Sequence, residues 1–316
     1  MSIRDMEIVV VGPGAIGCLF AANLARAGVA VLLLDHRPER AKLLSKRGIT
    51  VESERGGFHV RLKVTAKPAE TRSAELLILC VKANNTADAA ARLKGTISPQ
   101  SHLLTLQNGL GNVESLGELF DSSRILAGAT SHGATLLDVG RVRHAGYGEI
   151  WIGETGGASS SLAGRAKLQD LAAILNRAGL QAQVVDDIEA VLWRKLVVNV
   201  GINALTAILG VPNGELLRIH ECTSLMKGAV AEAVEVARYC GFQLNAMEEI
   251  ERVRAVCRST TDNISSMLQD VRGKKKTEID QLNGMVVKMA ASYGMTAPVN
   301  EVLTSLVRSL EAGYRG

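Results

Sequence analysis

The sequence predicts an α/β amino-terminal domain of Rossmann type followed by an all-α carboxy-terminal domain. Three observations carry this. A glycine-punctuated turn, Gly12-Pro13-Gly14-Ala15-Ile16-Gly17, follows an apolar run at the start of the chain. Short apolar runs of strand length then alternate with helical stretches as far as Val185, and from Asp186 onward only helical periodicity is found. A chain of 316 residues exceeds what one core usually supports, so two domains are expected, with boundaries at 1–186 and 187–316.

Taken in order, Glu7 to Val11 reads as a short buried strand, and the glycine turn opens a helix that runs to about Ala27 and stops at Gly28. Val29 to Leu34 is a second apolar strand, and two strands around one helix favour a parallel βαβ unit. Further strands are expected at Gly48 to Glu52, His59 to Val64, Leu76 to Val81, Leu103 to Leu106 and Arg124 to Ala129. Gly140 to Gly148 and Glu149 to Gly153 read as a hairpin or paired strands. A Gly/Ser-rich turn over Gly156 to Ser160, a helix Ser161 to Ala178 and a strand Gln181 to Val185 complete the first domain. Beyond it, breaks near Gly210-Val211-Pro212, Gly241, Arg272-Gly273 and Gly294 to Pro298 divide the helical pattern. No period of twenty to fifty residues recurs, which excludes a solenoid.

Composition narrows the function classes. Hydrophobic residues at 47% and charged residues at 22% are ordinary for a globular chain. Aromatics at 3% leave the core to Leu, Val, Ile and Ala and supply no stacking platform for single-stranded nucleic acid. The net charge of +4 is modest and, apart from Lys274-Lys275-Lys276, spread along the chain, so nucleic acid is not an expected partner. Five cysteines form no CxxC pair, which fits a reducing cytoplasm. Arg4, Asp5 and Glu7 ahead of the apolar start argue against a signal peptide, and no run of about 18 uninterrupted apolar residues predicts a membrane span. His59, His102, His132 and His144 are scattered singly, no metal-ligand spacing occurs, and no Gly-x-Ser-x-Gly elbow points to a serine hydrolase.

The glycine turn is informative because it follows a strand and opens a helix. Gly12 permits the tight turn, Gly14 lets backbone approach a pyrophosphate, Gly17 lets helix and strand pack closely, and the anion sits at the positive end of the helix. Asp35, eighteen residues after Gly17, can accept hydrogen bonds from both ribose hydroxyls of NAD. His36, Arg37 and Arg40 beside it can neutralise the 2′-phosphate of NADP, so both cofactors stay open. Lys82 and Asn108, the latter next to Gly109, stand at carboxyl ends of expected strands, the edge where open α/β sheets bind ligands.

In the second domain, Ile188 to Leu209 reads as a helix apolar around most of its circumference, which must be largely buried. Lys195, Asn199, Asn203 and Thr206 recur on one face of it at spacings of four, four and three. Asparagine is a poor helix former selected for its amide, so this stripe is expected to line a cleft rather than to face bulk water. Asn263-Ile-Ser-Ser-Met267 and Thr277-Glu-Ile-Asp280, ahead of Asn283-Gly284, add amides, hydroxyls and a carboxylate suited to a small oxygenated substrate.

Across nearly its whole length the chain resembles the ketopantoate reductases, or 2-dehydropantoate 2-reductases. The resemblance rests on Gly12-Pro-Gly-Ala-Ile-Gly17, Val81-Lys82-Ala83, Gln107-Asn108-Gly109, Trp193-Arg-Lys195, Asn199, Ile202-Asn203-Ala-Leu-Thr206, Pro212-Asn-Gly-Glu215, Asn263-Ile-Ser-Ser-Met267 and Thr277-Glu-Ile-Asp280. It implies NADPH-dependent reduction of 2-dehydropantoate to pantoate, on the way to pantothenate and coenzyme A. It further implies Lys195 as general acid and substrate contact, and Lys82 and Asn108 near the nicotinamide, Asn108 also reaching substrate. Ala134 becomes a main-chain cofactor contact, and Asn199, Asn203, Asn213 and Ser266 become substrate positions. Glu278 serves catalysis and cofactor in the closed site, and Asn263 is a further substrate contact. Asp35 departs from the family's NADPH preference, so NADH stays open beside NADPH.

Hydride addition to a ketone carbon leaves negative charge on the oxygen, and Lys195 can supply the proton, with reaction expected in the cleft between the domains. Two alternatives remain: a paralogous reductase of another branched 2-oxo acid, and an NAD(P)-sensing protein without chemistry. Lys195, Asn199, Asn203 and Glu278 together oppose the sensor, which needs no acid. Oligomeric state is left open, a homodimer among the options.

Overall fold

The structure, a computed structural model, describes residues 6–156 and 162–315. Arg4, Asp5, the Gly/Ser turn past Gly156 and the first residue of the helix expected from Ser161 lie outside the described residues. The chain forms two compact units, one of Met1–Gln107 with Asn112–Glu189, the other of Asn108–Gly111 with Ala190–Gly316.

The first unit runs β1 (Ile8–Val11), α1 (Ala15–Arg26), β2 (Val31–Leu34), α2 (Pro38–Arg47), β3 (Ile49–Glu52), β4 (Phe58–Val60), β5 (Lys63–Thr65), β6 (Leu76–Leu79) and α3 (Thr86–Leu93). It continues through β7 (His102–Thr105), α4 (Asn112–Gly117), β8 (Ile125–Thr130), β9 (Gly133–Asp138), β10 (Arg141–Gly146), β11 (Ile150–Glu154), α5 (Leu162–Arg177) and β12 (Ala182–Val184). Eight strands form one sheet in the order β12-β11-β8-β7-β6-β1-β2-β5. Every neighbouring pair in it is parallel except β8 with β11.

β1 lacks alternation because both its faces are covered. Val9 and Val11 pack with Leu77, Leu79, Leu93 and Leu103, while Ile8 and Val10 pack with Leu19 and Phe20 of α1. The chain moves outward from β1 through β2 to β5 and then returns to place β6 on the other side of β1. The strand order therefore reverses between β1 and β6, and the carboxyl ends of these two strands lead into Gly12 and Lys82. Ligands of open α/β sheets bind at such a switch point.

Two segmentations differ from expectation. The expected strand His59 to Val64 is two strands: β4 pairs with β3 in a second sheet, and β5 pairs with β2 at the edge of the first. Its alternating polar residues suit any half-buried edge, so pairing rather than pattern decides the register. The expected hairpin across Gly140 to Gly153 is divided as well, since β10 joins the second sheet, of order β4-β3-β10-β9, while β11 joins β8 and β12. The sequence reading missed β9, whose residues are mostly half-buried and so lack a sharp apolar rhythm.

The second unit consists of α6 (Ile188–Leu209), which starts two residues before the unit boundary, α7 (His220–Tyr239), α8 (Ala246–Ser259), α9 (Ser266–Arg272), α10 (Asn283–Ser292) and α11 (Pro298–Ala312). No strand follows β12 among the described residues. By length and composition α6 could cross a bilayer, but Arg194 and Lys195 interrupt its apolar run and most of it is buried in the protein. It is a core helix: Leu196, Val197 and Val200 pack with Met226, Val230, Val253, Val286 and Val307.

Candidate active-site residues

The glycines of the first turn divide by what the fold itself requires. Gly12 has φ +99°, and a Cβ there would meet Val81 Cγ1 at 2.6 Å; a Cβ on Gly17 would meet the Gly12 carbonyl oxygen at 1.9 Å. Both are demanded by packing. Gly14 has an ordinary φ of −76°, and the nearest atom to a Cβ built there is the Cys80 carbonyl oxygen at 3.9 Å. The protein's own packing thus leaves room for a side chain at Gly14. Gly14 also heads α1 without a side-chain cap, and Gly14, Ala15 and Ile16 are half-exposed while Gly12, Pro13 and Gly17 are buried. A bare, accessible helix start of this kind fits a pyrophosphate.

Asp35 follows β2 and is buried, Arg37 precedes α2, and Arg40 lies in its first turn. Arg40 Nε donates to Asp35 Oδ2 at 2.5 Å and its Nη2 donates to Oδ1 at 2.6 Å, while the Arg37 backbone N–H donates to Oδ1 at 3.1 Å. Burial pulls His36 below its ordinary value, Asp35 acting the opposite way.

Lys82 follows β6 and is half-buried. The loop that bears it is tied to the end of β7 by Gln107, whose buried amide Nε2 donates to the Val81 carbonyl at 3.0 Å and to Thr86 Oγ1 at 2.6 Å. Thr105 Oγ1 donates to Gln107 Oε1 at 2.9 Å, and Thr86 Oγ1 lies 3.0 Å from Asn112 Oδ1. Sequence reasoning gave Thr86 and Asn112 no role and quoted Gln107 only within the Gln107-Asn108-Gly109 motif, without assigning it a function.

Ala134 stands in β9 opposite His144 of β10. His132 and His144, read as isolated, are a buried pair, with Nδ1 of the first 3.0 Å from Nε2 of the second. Burial, then the neighbouring His144, pulls His132 down to about 4. Among the described residues no group of three metal-ligating side chains occurs.

In the second unit Lys195 is half-buried on α6, and burial lowers its ammonium to about 8 while the Glu278 carboxylate acts in the opposite direction. Glu278 is itself buried, and its Oε2 accepts from Asn108 Nδ2 at 3.1 Å. Asn108–Gly111 belongs to this unit because it lies against residues 278–281: the Leu110 N–H donates to the Gln281 carbonyl at 3.3 Å. Gly109, at φ +80°, would place a Cβ 2.2 Å from that same oxygen. The segment bearing Glu278 is anchored to α11, with the Thr277 N–H and hydroxyl donating to Glu311 Oε1 at 2.7 and 2.6 Å, and Arg308 pairing with Asp280.

Of the remaining stripe, Asn199 is half-buried and Asn203 buried. Thr206 does not line a cleft: it is fully buried, with its hydroxyl 2.7 Å from Ser265 Oγ. Asn213 is joined to Asn263 by a backbone N–H to carbonyl bond of 3.0 Å, and its Nδ2 donates to Thr260 Oγ1 at 2.9 Å. Asn213 Oδ1 is buried with no hydrogen-bond partner among the described residues. Ser266 opens α9 and is exposed, as is Asn263.

Comparison with known proteins places these features in context. The family model described as "Ketopantoate reductase PanE/ApbA" matches residues 8–157, and its C-terminal counterpart matches residues 187–311. The chain is 38% identical over 304 residues to a 2-dehydropantoate 2-reductase of Halobacterium salinarum, covering 96% of this chain and 98% of that protein. A solved PanE/ApbA family ketopantoate reductase from Ralstonia eutropha superposes with a TM-score of 0.89 at 31% identity, covering 98% of this chain and 100% of that one. D-mandelate dehydrogenase, solved with NADH and anilino(oxo)acetate, superposes at 0.91 with 27% identity, again covering 98% and 100%.

Proposed function

This chain belongs to the ketopantoate reductase family, and on that premise we propose that it reduces 2-dehydropantoate to pantoate with NADPH. Residues 1–186 would hold the dinucleotide and 187–316 the substrate and the acid. The observation that carries the reading is a half-buried lysine of pKa about 8 within the field of a buried carboxylate that also holds Asn108.

A reduced nicotinamide held by the glycine turn, Lys82 and Asn108 would supply the hydride that the ketone carbon takes up. Lys195 protonates the oxygen on which charge develops, and Glu278, by raising the lysine's pKa, keeps that proton in place near neutral pH. Asn199, Asn203, Asn213, Asn263 and Ser266 offer amides and hydroxyls to orient the substrate, which holds the ketone in reach of the acid. The Gly12–Gly17 turn with Pro13, Ala15 and Ile16 takes the pyrophosphate, and Asp35, His36 and Arg37 lie at the adenosine end. Lys82, Asn108 and Ala134 serve the nicotinamide end. The five free cysteines fit a reducing cytoplasm.

The test is ketopantoate-dependent oxidation of NADPH by the purified protein, with an aryl 2-oxo acid as the competing substrate. The higher identity of the reductase relative over the whole chain favours ketopantoate over the substrate class of D-mandelate dehydrogenase. Lys195→Ala should lower kcat by roughly 10²–10⁴-fold with dinucleotide affinity retained. Near-normal turnover would remove Lys195 from the mechanism, and no ketopantoate-dependent oxidation would sink the assignment.

A further inference from the structure

The geometry points to a second binding site in the first unit: a cavity at the amino edge of the large sheet that takes the zwitterion of an α-amino acid with an aliphatic side chain. The cavity measures about 430 Å³ and is framed by Met6 ahead of β1, the residues leading into β6 and β7, Leu126 of β8 and one face of α5. Its volume falls within the roughly 300–1,000 Å³ of small-molecule sites. β1, β6, β7 and β8 run parallel, so the glycine turn and Lys82 leave from the opposite ends of these strands. With strands of about four residues, roughly 10 Å of sheet separates the two edges. Nothing in the dinucleotide site therefore accounts for this cavity.

Its inner wall is aliphatic, made of the buried side chains Leu76, Leu126, Leu171 and Ile174. Its rim carries charges of both signs, Arg72 and Lys167 with Glu75 and Asp170. Among the described residues none of these four forms an ion pair. Burial lowers His102, and Lys167 and Arg124 act in the same direction, so the imidazole is neutral near neutral pH and adds no third cation. The rim therefore sums to zero, which favours neither a net anion nor a net cation. Opposite charges held apart around one mouth give a carboxylate and an ammonium separate partners, while the aliphatic wall takes the side chain. The mouth is also fixed before a ligand arrives. Ser101 Oγ donates to the Ala74 carbonyl at 2.6 Å, and Arg124 Nε and Nη2 donate to the Ser101 and Ser98 carbonyls at 2.8 and 2.7 Å, so little ordering entropy opposes binding.

The experiment is titration of the full chain with L-leucine, followed by backbone amide resonances, beside 4-methylpentanoate and 3-methylbutylamine, each of which keeps the aliphatic part and one of the two charges. Saturable shifts should centre on Ala74, Ser101 and Ile174 and leave Gly14 unmoved, with L-leucine bound roughly tenfold more tightly than either analogue. Lys167→Ala should weaken L-leucine by about tenfold and leave 3-methylbutylamine unchanged. Asp170→Ala should weaken L-leucine to a similar extent and leave 4-methylpentanoate unchanged. Both side chains are exposed, so neither variant endangers the fold. Absence of saturable shifts with L-leucine overturns the proposal, as do shifts centred on Gly14, an analogue that binds as tightly as L-leucine, or unchanged L-leucine affinity in both variants. None of these readings requires turnover, so they stand apart from the fate of the reductase assignment.

Discussion

Burial lowers Lys195 to about 8 and the Glu278 carboxylate opposes that shift, which gives the proposed general acid a definite pH signature. A general acid must carry its proton, so kcat/KM for reduction should be level below about pH 8 and fall about tenfold per unit above it. Glu278→Gln removes the charge that raises the pKa, and the break should move to lower pH. Profiles of both proteins check this, and an unmoved break would sever the electrostatic link. The same shift acts oppositely on folding. Because the folded pKa lies below the ordinary value of 10.5, the unfolded chain binds more protons between about 8 and 10.5, and this group's contribution to stability rises with pH across that window. Lys195 was legible in the sequence as a polar interruption of an apolar helix, whereas its partner Glu278 lies 83 residues away and no local spacing joins the two.

Among elements, the turn between β1 and α1 holds two glycines that packing requires, Gly12 and Gly17, and one that it does not, Gly14. Gly17→Ala forces a Cβ against the Gly12 carbonyl and should cost about 1–3 kcal/mol or more in thermal unfolding. Gly14→Ala meets nothing closer than 3.9 Å and should leave stability nearly unchanged, yet weaken NADPH binding by roughly tenfold because it fills the space a phosphate needs. Unfolding curves together with dinucleotide titration of both variants distinguish the two roles; equal NADPH affinity in Gly14→Ala would remove the turn from the cofactor site. This element was fully readable because strand, turn and helix are contiguous. β4, β5 and β9 were not, since short half-buried strands carry a weak pattern and take their register from partners distant in sequence.

For the whole molecule, a ligand that binds only the folded chain stabilises it by mass action. NADPH at about 100 times its Kd should add roughly 2.7 kcal/mol, which for a unit of this size corresponds to an apparent Tm about 5–10 °C higher. Differential scanning calorimetry of the wild type should show the shift and Gly14→Ala at the same NADPH concentration should show much less; an unshifted wild type counts against the first unit as the dinucleotide site. The two units have separate cores, one set on either face of the large sheet and the other around α6. Chain order alone misassigns their membership, because Asn108–Gly111 leaves the first unit to join the second against residues 278–281.

Features confined to a few turns of chain were determined by the amino-acid sequence itself: the βαβ opening, the division of labour among its glycines, the apolar rod of α6 and the lysine and amides along it. Backbone conformation and amphipathic periodicity act over such distances. Only tertiary structure decided that Asp35 belongs to Arg40, that His132 meets His144, that Asn108 is held by Glu278, and which sheet received β10 and β11. Each of those outcomes depends on which of several chemically competent partners lies across space, and a carboxylate, an imidazole or an edge strand carries no local mark of the partner that will satisfy it.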